Sequence, residues 1–255
     1  MDLGIIGDNA YGDVHAQSYD ALFGDRDDVR AVANVLHELA GDGATALEFG
    51  VGTGRLAIPL ARLGHRVHGV DNSRAMLERL EEKVAEAGDA DVVGVLGDFS
   101  HARVFEPVSL VYCAFSTLFL PGTQALQVAT LANAAAHLER GGRMLVEFFV
   151  HDRTRFTDCQ QTSVERIDEG GTRLHVARLA PNAQTIHMQK IELGADGTRF
   201  VPNRLRFIYP AELDLMARLA GFEVSARWSN WARAPFEDRS ENLIAVLTKV
   251  ADGPY

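Results

Sequence analysis

Three glycines at alternate positions, Gly50, Gly52 and Gly54, follow directly on an apolar run from Ala44 to Phe49. Glu48 stands just before them and Arg55 just after. Glycines so placed let a ligand approach the backbone where no side chain intervenes. Twenty-one residues after Gly50 a second apolar run, Val67 to Val70, ends in Asp71. An acid at the end of a second strand is how α/β folds hold a ribose diol. Turn and acid together point to a nucleoside-containing cofactor.

The flanks narrow the choice. A dinucleotide fingerprint wants a third glycine where this chain has Arg55, for close packing of helix on sheet. Glu48 would also repel a pyrophosphate at a helix N-terminus. The same acid suits a ligand with positive charge. S-adenosylmethionine carries a sulfonium and an ammonium and no phosphate.

These residues need a frame, and the pattern supplies one. Val29, Val32, Ala33, Leu36 and Leu39 recur at helical spacing ahead of strand one, Ala44 to Phe49. A helix carrying Pro59 follows, then strand two, His65 to Val70. Asn72 or Ser73 can cap the next helix, which ends at Gly88. Strand three is Val92 to Leu96 and strand four Leu110 to Phe115. A helix from about Thr123 to Leu138 is expected to stop at Gly141-Gly142, before strand five, Arg143 to Val150. Short apolar strands with helices between them read as a doubly wound parallel sheet. Ligands in such sheets sit at the carboxyl ends of the strands, and Glu48, Asp71, Asp98 and Phe115 all fall near such ends.

After residue 155 the pattern becomes period-two runs broken by turn signals, as in an antiparallel meander. A helix opening on Pro210 and two strands, Phe222 to Trp228 and Leu243 to Val250, then complete a seven-stranded sheet whose last strand is antiparallel. The fold class is therefore α/β, a doubly wound, mostly parallel seven-stranded sheet with an inserted meander. The expected division is a lid and helix over 1–40, a cofactor-binding core over 41–154 and 209–255, and a β insertion over 155–208 covering the substrate side.

The run Glu48-Phe49-Gly50-Val51-Gly52-Thr53-Gly54, with Asp71, Asp98-Phe99 and Ala114-Phe115 at successive strand ends, resembles the class I S-adenosylmethionine-dependent methyltransferases. The likeness runs from about residue 44 to 150. It implies a Rossmann-like fold, S-adenosyl-L-methionine as cofactor and S-adenosyl-L-homocysteine as product. It also implies that Asp71 binds the ribose hydroxyls, that Asn72 or Met76 lies against the adenine, and that Asp98 with Phe99 reads the adenine amino group. Ala114 and Phe115 would lie beside the methionine moiety. The N-terminal segment, the insertion and the tail resemble bacterial small-molecule methyltransferases, including sugar N,N-dimethyltransferases. In that subgroup an aromatic of the N-terminal segment covers the cofactor, and Tyr19-Asp20 is the nearest match here.

Methyl transfer from a sulfonium is an in-line displacement, so holding the acceptor in place is most of the task. A general base helps where the nucleophile must first lose a proton. His151, after strand five, and Tyr11, in the N-terminal segment, are the candidates for catalysis. His15, Ser116, Glu147 and Trp231 are candidates for acceptor binding. Each has a plain alternative: a loop histidine, a solvent-facing lid residue, a turn or capping serine, a structural carboxylate, an aromatic packed on the last strands. Nitrogen and oxygen acceptors rank ahead of carbon. Two other readings stand beside this one, a nicotinamide-dependent oxidoreductase and a non-catalytic cofactor-binding protein.

The bulk numbers limit partners. A formal net charge of −10 argues against nucleic acid and anionic membranes. No apolar run approaches the roughly 20 residues of a membrane span. Met1-Asp2-Leu3-Gly4 begins no signal peptide. The two cysteines, Cys113 and Cys159, lack metal or redox spacing, which fits a cytoplasmic setting. His65 and His68 should face opposite ways, so no metal is expected. The meander's edges can pair between subunits, as in a homodimer.

Overall fold

The computed structural model describes residues 12, 16, 20, 28–195 and 197–253. Tyr11, His15 and Tyr19 lie outside the described residues. A helix α1 (Val29–Ala40) precedes β1 (Thr45–Phe49), α2 (Ala57–Arg62), β2 (Arg66–Asp71), α3 (Arg74–Ala87), β3 (Val92–Leu96) and β4 (Val108–Cys113). Then come α4 (Gln124–His137), β5 (Leu138–Phe149) and four strands, β6 (Gln160–Asp168), β7 (Gly171–Ala180), β8 (Thr185–Gly194) and β9 (Gly197–Arg206). Helix α5 (Pro210–Leu219), β10 (Phe222–Trp228) and β11 (Asn242–Lys249) complete the order.

The large sheet has seven strands in the order β10-β11-β5-β4-β1-β2-β3. Only β11 runs against the rest, pairing antiparallel with both β5 and β10. Strands β6 to β9 form a second sheet of successive antiparallel pairs. One face of the large sheet, with Leu47, Phe49, Val111 and Val146, packs with α4, α5 and the inner face of the second sheet through Leu179, Ile186 and Leu205. The other face, with Ala46, Leu110, Tyr112 and Leu145, packs on α1, α2 and α3. Alternation along each strand thus feeds two separate apolar layers, which is why these strands read as continuous apolar runs.

Local signals set the ends. Ser73 caps α3, its Oγ accepting from the Met76 N–H at 3.3 Å, and Gly88 closes that helix in a left-handed turn. Thr123 caps α4 in the same way. The far end of α4 departs from expectation. Leu138 is already extended and pairs with Val108, so helix passes into strand without a loop. Gly141 and Gly142 sit inside β5 and do not stop the helix.

Besides that apolar packing, a buried cation ties the second sheet to the core. Arg206, at the end of β9, donates to Gln127 Oε1 of α4 at 2.6 Å and to Glu212 Oε1 of α5 at 2.7 Å. Burial alone would raise the Glu212 carboxyl, but bonds from Gln184 and Arg206 outweigh it and hold the group below its ordinary range. Arg206→Met leaves that carboxylate without its charge partner. Such losses cost roughly 3 kcal/mol in buried pairs. The melting temperature, followed by circular dichroism, should fall by about 6–12 °C for a chain of this size.

Candidate functional site

The glycine turn lies at the carboxyl end of β1, between β2 and β4. Gly50, Gly52 and Gly54 all have positive φ, at 76°, 53° and 81°. At Gly54 a Cβ would meet Leu80 Cδ1 at 2.4 Å, so this glycine serves the packing of α3 against the turn. The close packing that a dinucleotide fingerprint assigns one position later is done here by Gly54, and Arg55 is released for another use. At Gly52 the nearest neighbour of a Cβ is Met76 Sδ at 4.0 Å, so this glycine borders open space beside Met76.

Asp71 closes the far side of that space. Its Oδ2 accepts from the Gly52 N–H at 2.9 Å and its Oδ1 from the Ser73 N–H at 2.9 Å. It thereby ties the turn to the cap of α3. Each carboxylate oxygen has a second lone pair, so the group can accept from a ligand diol while it holds the loop. Asn72 lies between these tied residues and is half-buried. Asp98 is exposed after β3, with Oδ1 accepting from the Ser100 N–H at 2.8 Å. Phe99 is buried and stacks on Phe49, ring centroids 5.7 Å apart.

Two described residues of the N-terminal segment touch this rim. Asp20 accepts from Thr53 Oγ1 at 2.7 Å and from Lys83 Nζ at 2.8 Å. Burial raises its carboxyl, yet the bonds from Lys83 and Thr53 outweigh it and leave the group below its ordinary range. Gly12 packs so closely on Ser73 that a Cβ there would meet the Ser73 Cβ at 2.4 Å. The segment is thus fixed to the glycine turn and to the start of α3 at these two points.

Glu48, at the end of β1, makes its own bond within the core. It points beneath the turn, is buried, and accepts from the Tyr112 hydroxyl at 2.9 Å. Burial pushes its carboxyl up to about 8, against the Tyr112 bond and the Arg55 charge, which pull it down. At neutral pH the group therefore largely holds a proton.

After β4 the chain takes a strained course. Phe115 and Ser116 both lie in the left-handed region, with φ 54° and 62°, a region that costs a non-glycine residue about 1–3 kcal/mol. Glu147 of β5 holds them there. Its Oε2 accepts from the Phe115 N–H at 3.0 Å, its carbonyl from the Ser116 N–H at 2.9 Å, and its Oε1 from Asn242 Nδ2 at 3.0 Å. Ser116 Oγ accepts from the Phe149 N–H at 3.2 Å. Glu147 and Ser116, candidates for acceptor binding, thus have their polar atoms engaged in shaping this turn. Ala114 is buried just before it, its carbonyl accepting from the Thr117 N–H at 3.1 Å. The Phe115 ring ends under the Arg55 guanidinium, 3.4 Å from Cζ to centroid.

His151 is buried two residues past the end of β5. Its ring stacks on Phe207, centroids 3.9 Å apart, and its Nε2 is buried with no hydrogen-bond partner. Burial lowers its pKa, which the neighbouring Asp152 only partly offsets, so the imidazole is neutral at pH 7. Trp231, half-buried in the β10–β11 connection, has its indole Nε1 buried and unpartnered too. His65 and His68 take separate partners, His37 and Glu106. Among the described residues no cluster of His, Cys, Asp or Glu is arranged to hold a metal. No described helix is long and apolar enough to cross a membrane.

Sequence reasoning missed Tyr112, Asn242 and Thr53 as partners of the site. It treated Arg55 only as a misfit. An arginine directly after an alternating-glycine turn was the signal available.

Known proteins resemble this chain over most of its length. The family described as a methyltransferase domain matches residues 46–142. The chain is similar to a cypemycin N-terminal methyltransferase from a Streptomyces species, 31% identical over 220 residues, covering 82% of this chain and 84% of that protein. The solved structure of the CcbJ methyltransferase from Streptomyces caelestis superposes with a TM-score of 0.90 at 37% identity, covering 96% of this chain and 100% of that one. CalS10, an amino pentose methyltransferase from Micromonospora echinaspora, superposes with a TM-score of 0.68 at 23% identity, covering 98% and 99%, which speaks to the fold alone.

Proposed function

The chain belongs to the S-adenosylmethionine-dependent methyltransferases, and from that premise we propose that it methylates an amine, or second a hydroxyl, of a small natural-product-type acceptor. The oxidoreductase and non-catalytic readings give way to that membership. The cofactor supplies an electrophilic methyl on a sulfonium. The rim residues then have assignable tasks. Asp71 takes the ribose hydroxyls, Gly50, Gly52 and Gly54 admit the backbone approach, and Met76 and Asn72 flank the base. Asp98 and Phe99 stand at the adenine edge, and Ala114 and Phe115 at the methionine end.

The acceptor reading is carried by one observation, the buried, unpartnered Nε2 of His151. An amine attacks only as the free base, and a neutral imidazole can receive the proton that it sheds. The similar cypemycin enzyme acts, by its name, on an N-terminus, which supports nitrogen over oxygen. Glu147 acts at one remove, by holding Phe115. Trp231, and Tyr11, His15 and Tyr19 of the N-terminal segment, are the residues left to shape acceptor and lid. We place the lid and first helix in residues 1–40 and the cofactor core in 41–154 and 209–255, with 155–208 covering the substrate side.

The test is transfer of a labelled methyl group to a panel of amines, amino sugars, peptide N-termini and phenols, resolved by mass spectrometry. Label found only on carbon would overturn the reading. His151→Phe keeps the ring stack on Phe207 and removes the base. It should lower kcat by about 100-fold or more while leaving cofactor affinity unchanged. Wild-type activity should fall as the pH drops through the lowered histidine pKa, below 6.5, and the variant should lack that acid limb. An acid limb retained in His151→Phe would exclude His151 as the base.

A further inference from the structure

Resting on the cofactor reading above, we propose that Arg55 is the contact for the carboxylate at the amino-acid end of the cofactor. Arg55 follows directly on Gly54, so it is attached to the turn that the cofactor must cross. Its guanidinium sits over the Phe115 ring, with Cζ 3.4 Å from the centroid. That shelf is rigid, because Glu147 holds the Phe115 N–H and the Ser116 N–H in the left-handed turn. Stacking uses the face of the guanidinium and leaves its N–H groups to point outward in the plane. Two of the nitrogens, Nε and Nη1, are buried there and meet no hydrogen-bond partner.

A buried guanidinium with unmet donors is costly unless an acceptor completes it. Among the described residues none completes it. Glu48, at the end of β1, feels the charge of Arg55 but is buried, largely protonated, and has its Oε2 on the Tyr112 hydroxyl. Among the described residues no carboxylate forms an ion pair with Arg55. The missing partner is thus a planar anion that meets N–H donors in their own plane, as a carboxylate does. The rim already divides the cofactor. Asp71 and Met76 lie toward the nucleoside, and Phe115 lies toward the amino acid, where that carboxylate is. A carboxylate on the methyl acceptor has the same chemistry, so the test must separate the two sources.

The probes are S-adenosylhomocysteine and S-adenosyl-3-thiopropylamine, which differ only by the carboxylate. Binding of each is measured by calorimetry to the full chain. Wild type should prefer the carboxylated nucleoside by about 10- to 100-fold, the range for a hydrogen-bonded charged contact. In Arg55→Met, whose thioether keeps contact with the Phe115 ring, that preference should fall to about twofold or less through loss of S-adenosylhomocysteine alone. Unchanged affinity for the amine probe shows that the site is still folded. Equal weakening of both probes would make Arg55 a support of the turn and overturn the assignment. A preference kept at the wild-type value would also overturn it and give Arg55 to the acceptor. Binding of neither nucleoside to wild type would instead remove the cofactor reading itself.

Discussion

Asp71→Ala should lower affinity for S-adenosylmethionine by at least about 100-fold, read by titration calorimetry. The size follows from what one carboxylate does in two directions. It accepts the Gly52 and Ser73 N–H groups, which fixes the turn against the cap of α3. We also assign it the ribose diol of the cofactor. Hydrogen bonds to a charged group are worth about 1.5–3 kcal/mol each, so losing the diol contacts alone accounts for the factor. Asp71→Asn separates the two tasks. The amide oxygen can hold one backbone N–H, and its NH2 can donate to a ribose oxygen. It should therefore melt near wild type while binding at an intermediate strength. An alanine variant that binds within about threefold of wild type would remove Asp71 from the ribose and leave it a purely structural acid.

The second large effect is on stability and its pH dependence. Glu48 in the folded chain titrates at about 8, against an ordinary 4.5, because burial disfavours its charged form. Its folded pKa is raised, so the folded state binds the proton more tightly than the unfolded one. That contribution is fully present below about pH 4.5 and is lost as pH rises through about 8. Glu48→Gln keeps an acceptor for the Tyr112 hydroxyl and has nothing to ionise. Its melting temperature should match wild type near pH 5 and exceed it by about 6–12 °C at pH 9, for a difference on the order of 3 kcal/mol. Parallel melting curves for the two proteins from pH 5 to 9 would show that the carboxyl does not titrate in this window.

How much of this could be read from residues alone depended on distance along the chain. Gly50, Gly52, Gly54 and Asp71 were legible because a turn and the end of the next strand are set by local spacing. The strand at Phe222 and the helix opened by Pro210 were legible for the same reason. The contacts that give the site its shape were not. Glu48 meets Tyr112, 64 residues on, only because β1 and β4 pair in register. Glu147 reaches Asn242 across 95 residues through the pairing of β5 with β11. The left-handed pair Phe115 and Ser116 carries no glycine or asparagine to announce it. Its cause lies in Glu147, on another strand. The passage from α4 into β5 was misjudged because Gly141-Gly142 is a stop signal locally, while the pairing of Leu138 with Val108 overrides it.

The place of β11 bears on how the chain is made. Among the described strands it comes last in chain order, yet in the sheet it lies between β5 and β10. A ribosome delivers β5 and β10 before the strand that joins them. Until residues 242–249 emerge, β5 presents an open edge whose apolar side chains Leu145 and Val146 belong to the two core layers. An unpaired edge of that kind is what chaperones cover and what aggregates in their absence. Assembly of the large sheet therefore waits for residues 242–249, and a nascent chain stalled before residue 242 would expose the same edge.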